Sequence, residues 1–567
     1  MGFSPLIRLI ARWASSLALG LLIAGPLAAL TACALVDRGP EGEVRASLFP
    51  LALAALDPFV WTCTRQSATT AALATLLALG AGVFLGRLIG ERGFRLRRPT
   101  FALLAATAAF PPVVLAMGAT LILGAEGADA WSGMLERLGP WGRRLPVDPG
   151  WLVWLASAAI PGAAASTLAY ATALDRLDPS WRDAARLAGG VGTRAWRRLA
   201  WPLLRPAMAR VAAFVFATTL VDPGPPLILG LRRTLGFQVV VAAFEARPFP
   251  RMAGLALIAI LACAGVRAIL RAWSGPARLT SSRPATRDDA AARPPASWAR
   301  LATLGLILTV GGVLVAAPLV GLAREAAPHV SASGARESDP ELARVLFRSV
   351  ALGCAVAALS AVAGRALGRL EAGAGPAASG RFRKLARLVA PAPLVAGVVI
   401  LSFGSLLRLG VERFGSSSPA AAAGLVAWWE GDAGAFAATA LAVWLATAAA
   451  GLDGRRHPRG AGAASARDAA ILFGAGRRRA RRLARGGGGW RGWWGFAATA
   501  AAASANVAPA VLFAASIRGA TLGPGLLLAF ERPGGGAAVA ASLALAAAVA
   551  GVASAALDPH ERTGRGG

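Results

Sequence analysis

Long apolar runs alternate with short polar, arginine-rich segments along almost the whole chain. A helix needs about 20 apolar residues to cross a bilayer. Six runs of roughly that length fall in the first half, near 14–36, 67–86, 100–123, 151–174, 206–221 and 252–270. Six more follow near 301–320, 344–364, 388–407, 431–450, 493–515 and 535–556. The pattern predicts an all-α, polytopic membrane protein with about twelve transmembrane helices in two six-helix halves. The first run follows Arg8 and Arg12 and lacks a clear cleavage site, so it is read as a spanning helix that stays. The fifth run is short. It is expected to continue through Pro223 to Gly230 as a broken or re-entrant segment, which protein or a wet cavity must cover. Between the first two runs, Ala46–Val60 is too apolar for a plain loop, and a helix or hydrophobic cap against the outer surface is expected there.

Charge placement gives the orientation. With the N-terminus in the cytoplasm, the inside loops 87–98, 175–205 and 451–492 carry five, seven and eleven arginines. Loop 365–388 carries five arginines and Lys384. The opposite loops 124–150 and 408–430 carry three and two. This bias predicts both termini on the cytoplasmic side of an inner (cytoplasmic) cell membrane. Segment 271–300, with six arginines, Asp288-Asp289 and Arg293-Pro294-Pro295, reads as a cytoplasmic linker between a first unit, 1–270, and a second, 301–567.

Composition supports a membrane chain. It is 56% hydrophobic and only 16% charged, which excludes a disordered chain and argues against an ordinary soluble domain. The net charge of +30 does not point to nucleic acid, because the arginines lie between apolar runs and no basic stripe carries interleaved aromatics. Cys33, Cys263 and Cys354 sit in apolar runs as small core residues, and Cys63 lies near a membrane boundary. His329, His457 and His560 have no metal-ligand spacing. The glycine run Gly486–Gly489 is not followed by Lys-Ser/Thr and is no phosphate loop. Paired carboxylates, a nucleophile triad and a cofactor signature are all lacking, so a transport subunit is expected rather than an enzyme.

One polar pattern occurs twice, after the fourth predicted span of each half. It reads Asp183-Ala184-Ala185-x3-Gly189 and Asp468-Ala469-Ala470-x3-Gly474. Around the first copy, Pro179 and Ser180 favour a helix start, Gly189, Gly190 and Gly192 break it, and Arg194–Ala200 can form a second, basic helix. Pro202 and Pro206 mark the return to the membrane. Two short helices joined by a glycine turn make a protrusion suited to a groove on a cytoplasmic partner. Read without further knowledge, such a loop is either that dock or simply a determinant of topology.

These residues resemble the EAA loop of permease subunits in binding-protein-dependent ABC importers, which reads approximately EAA-x3-G-x9-I-x-L-P. Asp183, Ala184, Ala185, Gly189, Leu199, Trp201 and Pro202 fall at its positions without a gap, with Asp for Glu, Leu for Ile and Trp for Leu. In the second copy Asp468, Ala469, Ala470 and Gly474 match, but Gly487 stands where Pro is expected. The fused architecture is similar to permeases of the ferric-iron and thiamine type. Thr218 to Gly224 resembles their E-x-L-x-D-F-G stretch, with Asp222 and Gly224 aligned and Thr218 and Pro223 departing from it. The resemblance implies a membrane pathway for a solute delivered by an external or periplasmic binding protein. It also implies a separate cytoplasmic ABC ATPase, in two copies, that binds ATP and Mg; no cofactor is expected in this chain. Ferric iron is the first expectation for cargo, with thiamine, a phosphonate or another small solute as alternatives. An ATPase-independent secondary transporter is the more distant one. Asp222, and then Ser504 and Asn506, are the candidate pathway residues. Plain interfacial and interhelical roles for these three are the competing reading.

Overall fold

The computed structural model describes residues 25–38, 44–89, 97–123, 149–175, 200–244 and 249–275 of the first half. In the second half it describes residues 320–321, 347–360, 362, 396, 398–402, 424, 427–428 and 432–454. The first helix, α1 (Gly25–Leu35), leads into two three-residue strands, β1 (Val36–Arg38) and β2 (Val44–Ala46). The strands pair antiparallel, with Asp37 opposite Arg45. This hairpin is an addition to the all-α expectation. Then come α2 (Phe49–Leu56), α3 (Pro58–Ile89), α4 (Arg97–Ala109), α5 (Pro112–Leu123) and α6 (Pro149–Asp175). The first half closes with α7 (Trp201–Val221), α8 (Gly224–Ile228), α9 (Leu235–Phe244) and α10 (Phe249–Ser274). In the second half, α11 (Phe347–Ser360) and α12 (Asp432–Gly454) lie on predicted spans.

Among the described residues, four helices are long and apolar enough to cross a membrane: Pro58–Arg87, Gly150–Leu174, Trp201–Ile228 and Arg251–Ser274. The expected helix over Ala46–Val60 is present as α2. It caps one end of α10, where a Cβ on Gly254 would meet Ala54 at 3.1 Å. The run 100–123 is not one continuous helix. It breaks between α4 and α5 at Phe110-Pro111, because Pro111 and Pro112 have no N–H to continue the ladder.

The frame of the first half is a close pair, α3 and α6. Successive contacts advance together along both helices, so they run parallel. The Trp151 indole donates to Thr70 Oγ1 at 2.7 Å. Further along, added Cβ atoms would press Gly162 on Ala78, Gly82 on Ser166 and Gly86 on Tyr170. Ala78, Gly82 and Gly86 are spaced by four, as are Gly162, Ser166 and Tyr170, so each set lies along one helix face. Small residues here let the backbones approach, which is how apolar helices gain dispersion energy where lipid removes the hydrophobic drive. Antiparallel to both runs α7, with Val215 against Gly162 and Leu204 packed with Tyr170.

The loops after α3 and α6 and the linker after α10 therefore leave from one end. These segments are rich in arginine. The β-hairpin, α2 and the starts of α3 and α10 mark the other end. The largest buried cluster joins α1, α5, α7, α9 and α10 to Leu352, Val356, Val399, Val443 and Trp444 of the second half. The Cys33 thiol approaches the Ser402 carbonyl at 3.5 Å across 369 residues of sequence. Cys63 lies buried five residues from the start of α3, whereas Cys354, expected inside, is exposed, because its position on α11 faces away from this cluster.

Candidate functional site

The site is a broken helix. Ladder geometry stops at Val221, and Asp222 takes an extended conformation (φ −69, ψ 116). Pro223 cannot donate, so an uninterrupted helix loses a hydrogen bond there. The Asp222 carboxylate substitutes locally: its Oδ1 accepts the Gly224 N–H at 3.0 Å. That Asx turn starts the five-residue α8. The chain then turns at Gly230, whose φ of 68 favours glycine. The Leu231 N–H donates to the Pro226 carbonyl and Arg232 N–H to the Gly230 carbonyl, both at 2.9 Å. The Gln238 amide donates to the Arg232 carbonyl at 2.8 Å and ties the turn to α9. This is the broken continuation through Pro223 to Gly230, one of the two forms that the short fifth run suggested.

Two glycines and one hydroxyl fit the broken segment into its surroundings. A Cβ on Gly224 would sit 2.9 Å from Val113 Cβ, so α8 lies directly on α5. A Cβ on Gly236 would sit 3.0 Å from the Val221 and Asp222 carbonyl oxygens. The start of α9 has therefore doubled back to the level of the break. The first N–H of α9, on Leu235, has no intrahelical partner and is buried; it donates to Ser67 Oγ of α3 at 2.8 Å. Irregular backbone at membrane depth persists only where protein or a wet cavity covers it. Here α3, α5 and α9 provide part of that cover.

Asp222 is half-buried, and among the described residues its carboxylate makes no other hydrogen bond and no ion pair. Nearby, the Trp154 indole N–H is buried beside Leu229 and Leu231 and has no hydrogen-bond partner among the described residues. Arg232 and Arg233 are exposed on the turn. Arg233, Arg251 and Asp57 make up the charged surroundings of Cys63. The arrangement presents one acceptor group at a helix break, one unmatched donor close to the same turn, and cationic side chains at its tip.

Pro202 is the second residue of α7, where a missing N–H costs nothing. It is exposed at the arginine-rich end. Asp183, Ala184, Ala185 and Gly189 lie outside the described residues, as do Asp468, Ala469, Ala470, Gly474, Ser504 and Asn506. Ser67, Trp154 and Gly236 were not among the sequence candidates. Gly236, an isolated glycine in an apolar run, carried the signal of close backbone approach. Ser67 and Trp154 had no sequence signal. Among the described residues, no three His, Cys, Asp or Glu side chains are grouped to hold a metal ion.

No protein-family model, curated protein or solved structure matches the chain. Its own architecture identifies a polytopic, mostly helical membrane protein, and its broken helix is consistent with a transport role.

Proposed function

We propose that this chain is the permease of an ATP-driven importer of the ABC type, and that it forms the membrane path for a solute delivered by an external binding protein. The observation that carries the reading is the ungapped pattern from Asp183 to Pro202, which ends on the first turn of α7. Its placement between α6 and α7, at the end from which the arginine-rich loops leave, supports a cytoplasmic loop. A carboxylate at the start of a short helix satisfies free N–H groups and suits the dipole, so Asp183 gives the loop rigidity. Gly189 allows the turn. The copy at Asp468, with Gly487 in place of Pro, couples more weakly. ATP and Mg are held by the partner ATPase, and ferric iron is the first cargo to test, ahead of thiamine or a phosphonate.

Co-purification of the chain with its cytoplasmic partners tests the reading. A bound ATPase, lost in Asp183→Arg and Gly189→Leu while membrane insertion persists, is the expected result. Full association in both variants rejects docking at this loop. A half-buried carboxylate at a helix break also fits a secondary transporter. Solute flux through the reconstituted chain alone, without ATPase or ATP, would favour that second reading.

A further inference from the structure

At the arginine-rich end, α7 and α10 meet through Trp201, Arg205 and Trp273. The two indoles pack edge to face with ring centres 6.1 Å apart. The Arg205 guanidinium carbon lies 5.5 Å from the centre of the Trp273 ring. This cation–π contact orients the guanidinium but uses none of its five N–H donors. The Arg205 Nε is buried and has no hydrogen-bond partner among the described residues. Buried donors are nearly always matched by an acceptor, and a planar guanidinium suits a phosphate.

The surface running from this cluster is apolar. Leu261, Gly265, Ile269 and Trp273 are spaced by four and so share one face of α10. Leu261 is 69% exposed, Ile269 68% and Trp273 48%. Among the described residues nothing lies within 4 Å of a Cβ placed on Gly265, so the strip has open space at its centre. From Leu261 to Trp273 it covers about 18 Å at 1.5 Å per residue. That is close to the hydrocarbon depth of one leaflet, about 15 Å. Arg271, exposed in the last turn of α10, adds positive charge at the same level.

We propose that Arg205, Trp201 and Trp273 form a headgroup site for an anionic phospholipid, with one acyl chain along Leu261, Gly265 and Ile269. The phosphate accepts hydrogen bonds from the Arg205 guanidinium. The indoles sit at headgroup level, where an amphipathic ring is favoured. A free phosphate would use the same guanidinium, but only a lipid uses the apolar strip as well.

Native mass spectrometry of the full chain in mild detergent tests this, with phosphatidylglycerol and phosphatidylcholine titrated in parallel. The expected result is preferential binding of phosphatidylglycerol, reduced about tenfold in Arg205→Gln and unchanged in Arg232→Gln at the opposite end. Gly265→Trp, which fills the strip without touching the guanidinium, should also displace the lipid. Equal binding of the two lipids, or full phosphatidylglycerol binding in Arg205→Gln or Gly265→Trp, overturns the proposal. Displacement by millimolar inorganic phosphate would overturn the lipid as the source of the anion.

Discussion

Gly80, Gly82 and Gly86 lie within two turns of α3, yet alanine should act on them in opposite directions. Gly80 is exposed, and among the described residues nothing lies within 4 Å of its added Cβ. There the methyl only improves helix propensity, a gain of up to about 1 kcal/mol. Gly82 is buried, and its Cβ would collide with Ser166 Cβ and lie 3.0 Å from the Ser166 carbonyl carbon and the Thr167 nitrogen. Backbone cannot rotate out of the way, so α6 must move off α3. Separation would loosen the neighbouring contacts of Ala78 with Gly162 and of Gly86 with Tyr170. Overpacking of this kind costs about 1–3 kcal/mol, and the backbone obstacle places Gly82→Ala at the upper end. After the propensity gain, a net loss of about 2 kcal/mol remains. Gly86→Ala, obstructed by Tyr170 Cδ1 at 2.7 Å and Cβ at 2.8 Å, should fall between, because a ring can partly shift. Thermal unfolding of the purified chain in detergent, read by fluorescence and size-exclusion recovery, gives the order. Gly80→Ala should melt at or above the parent, and Gly82→Ala lower by on the order of 2 °C. A Gly82→Ala protein as stable as Gly80→Ala would refute close packing of α3 on α6.

Other expectations concern the break and the loops. Ser67→Ala leaves the buried Leu235 N–H without its acceptor and should lower stability by about 1–3 kcal/mol, whereas Ser67→Thr keeps a hydroxyl; equal melting of Ser67→Ala and the parent would show that this cap contributes nothing. Asp222→Asn retains an oxygen to accept the Gly224 N–H, so it should melt close to the parent. Under the proposed function it should transport more slowly in proteoliposomes with the partner subunits, and unchanged transport would limit the carboxylate to the turn. Gly236→Val drives a side chain against the Val221 and Asp222 carbonyls and should cost about 1–3 kcal/mol by the same melting assay. Asp468→Arg and Gly474→Leu should weaken ATPase association less than Asp183→Arg and Gly189→Leu; equal losses from both loops would remove the asymmetry.

The apolar runs of the first half were legible because each buries or exposes an almost unbroken hydrocarbon surface. Their ends were less so. The second run was expected near residue 67, yet α3 starts at Pro58. Hydropathy counts Thr62 and Thr64 as polar, but each hydroxyl donates to a carbonyl one turn back, at 2.9 and 2.7 Å. Within the helix these side chains satisfy themselves. The opposite error occurred at Phe110-Pro111, where an averaged apolar run hid a break. Asp222 was found because a carboxylate in an apolar run needs a reason. Gly82, Ser166 and Tyr170 were missed, since their role exists only once two helices distant in sequence are side by side.

The position of α7 connects the two features that the sequence presented separately. Pro202 stands at one end of the helix and Asp222 at the other, 20 residues or about 30 Å apart, the depth of the hydrocarbon core. Near the first end, Pro206 cannot donate to the Pro202 carbonyl, so the ladder is interrupted in its opening turns. From there to Val221 the helix runs unbroken and is held against α6 by Val215 at Gly162. Displacement of the Asp183 loop would therefore be absorbed first at Pro206 and only then carried along a packed rod. At its far end the rod meets Gly236, with 3.0 Å between an added Cβ and the Val221 and Asp222 carbonyl oxygens, which leaves α9 almost no room to lag behind. A shift of α7 along its axis that carries α9 with it must break the Ser67–Leu235 bond unless α3 moves as well. The broken helix is thus mechanically connected to the loop proposed to bind the ATPase, although the two lie at opposite ends of α7.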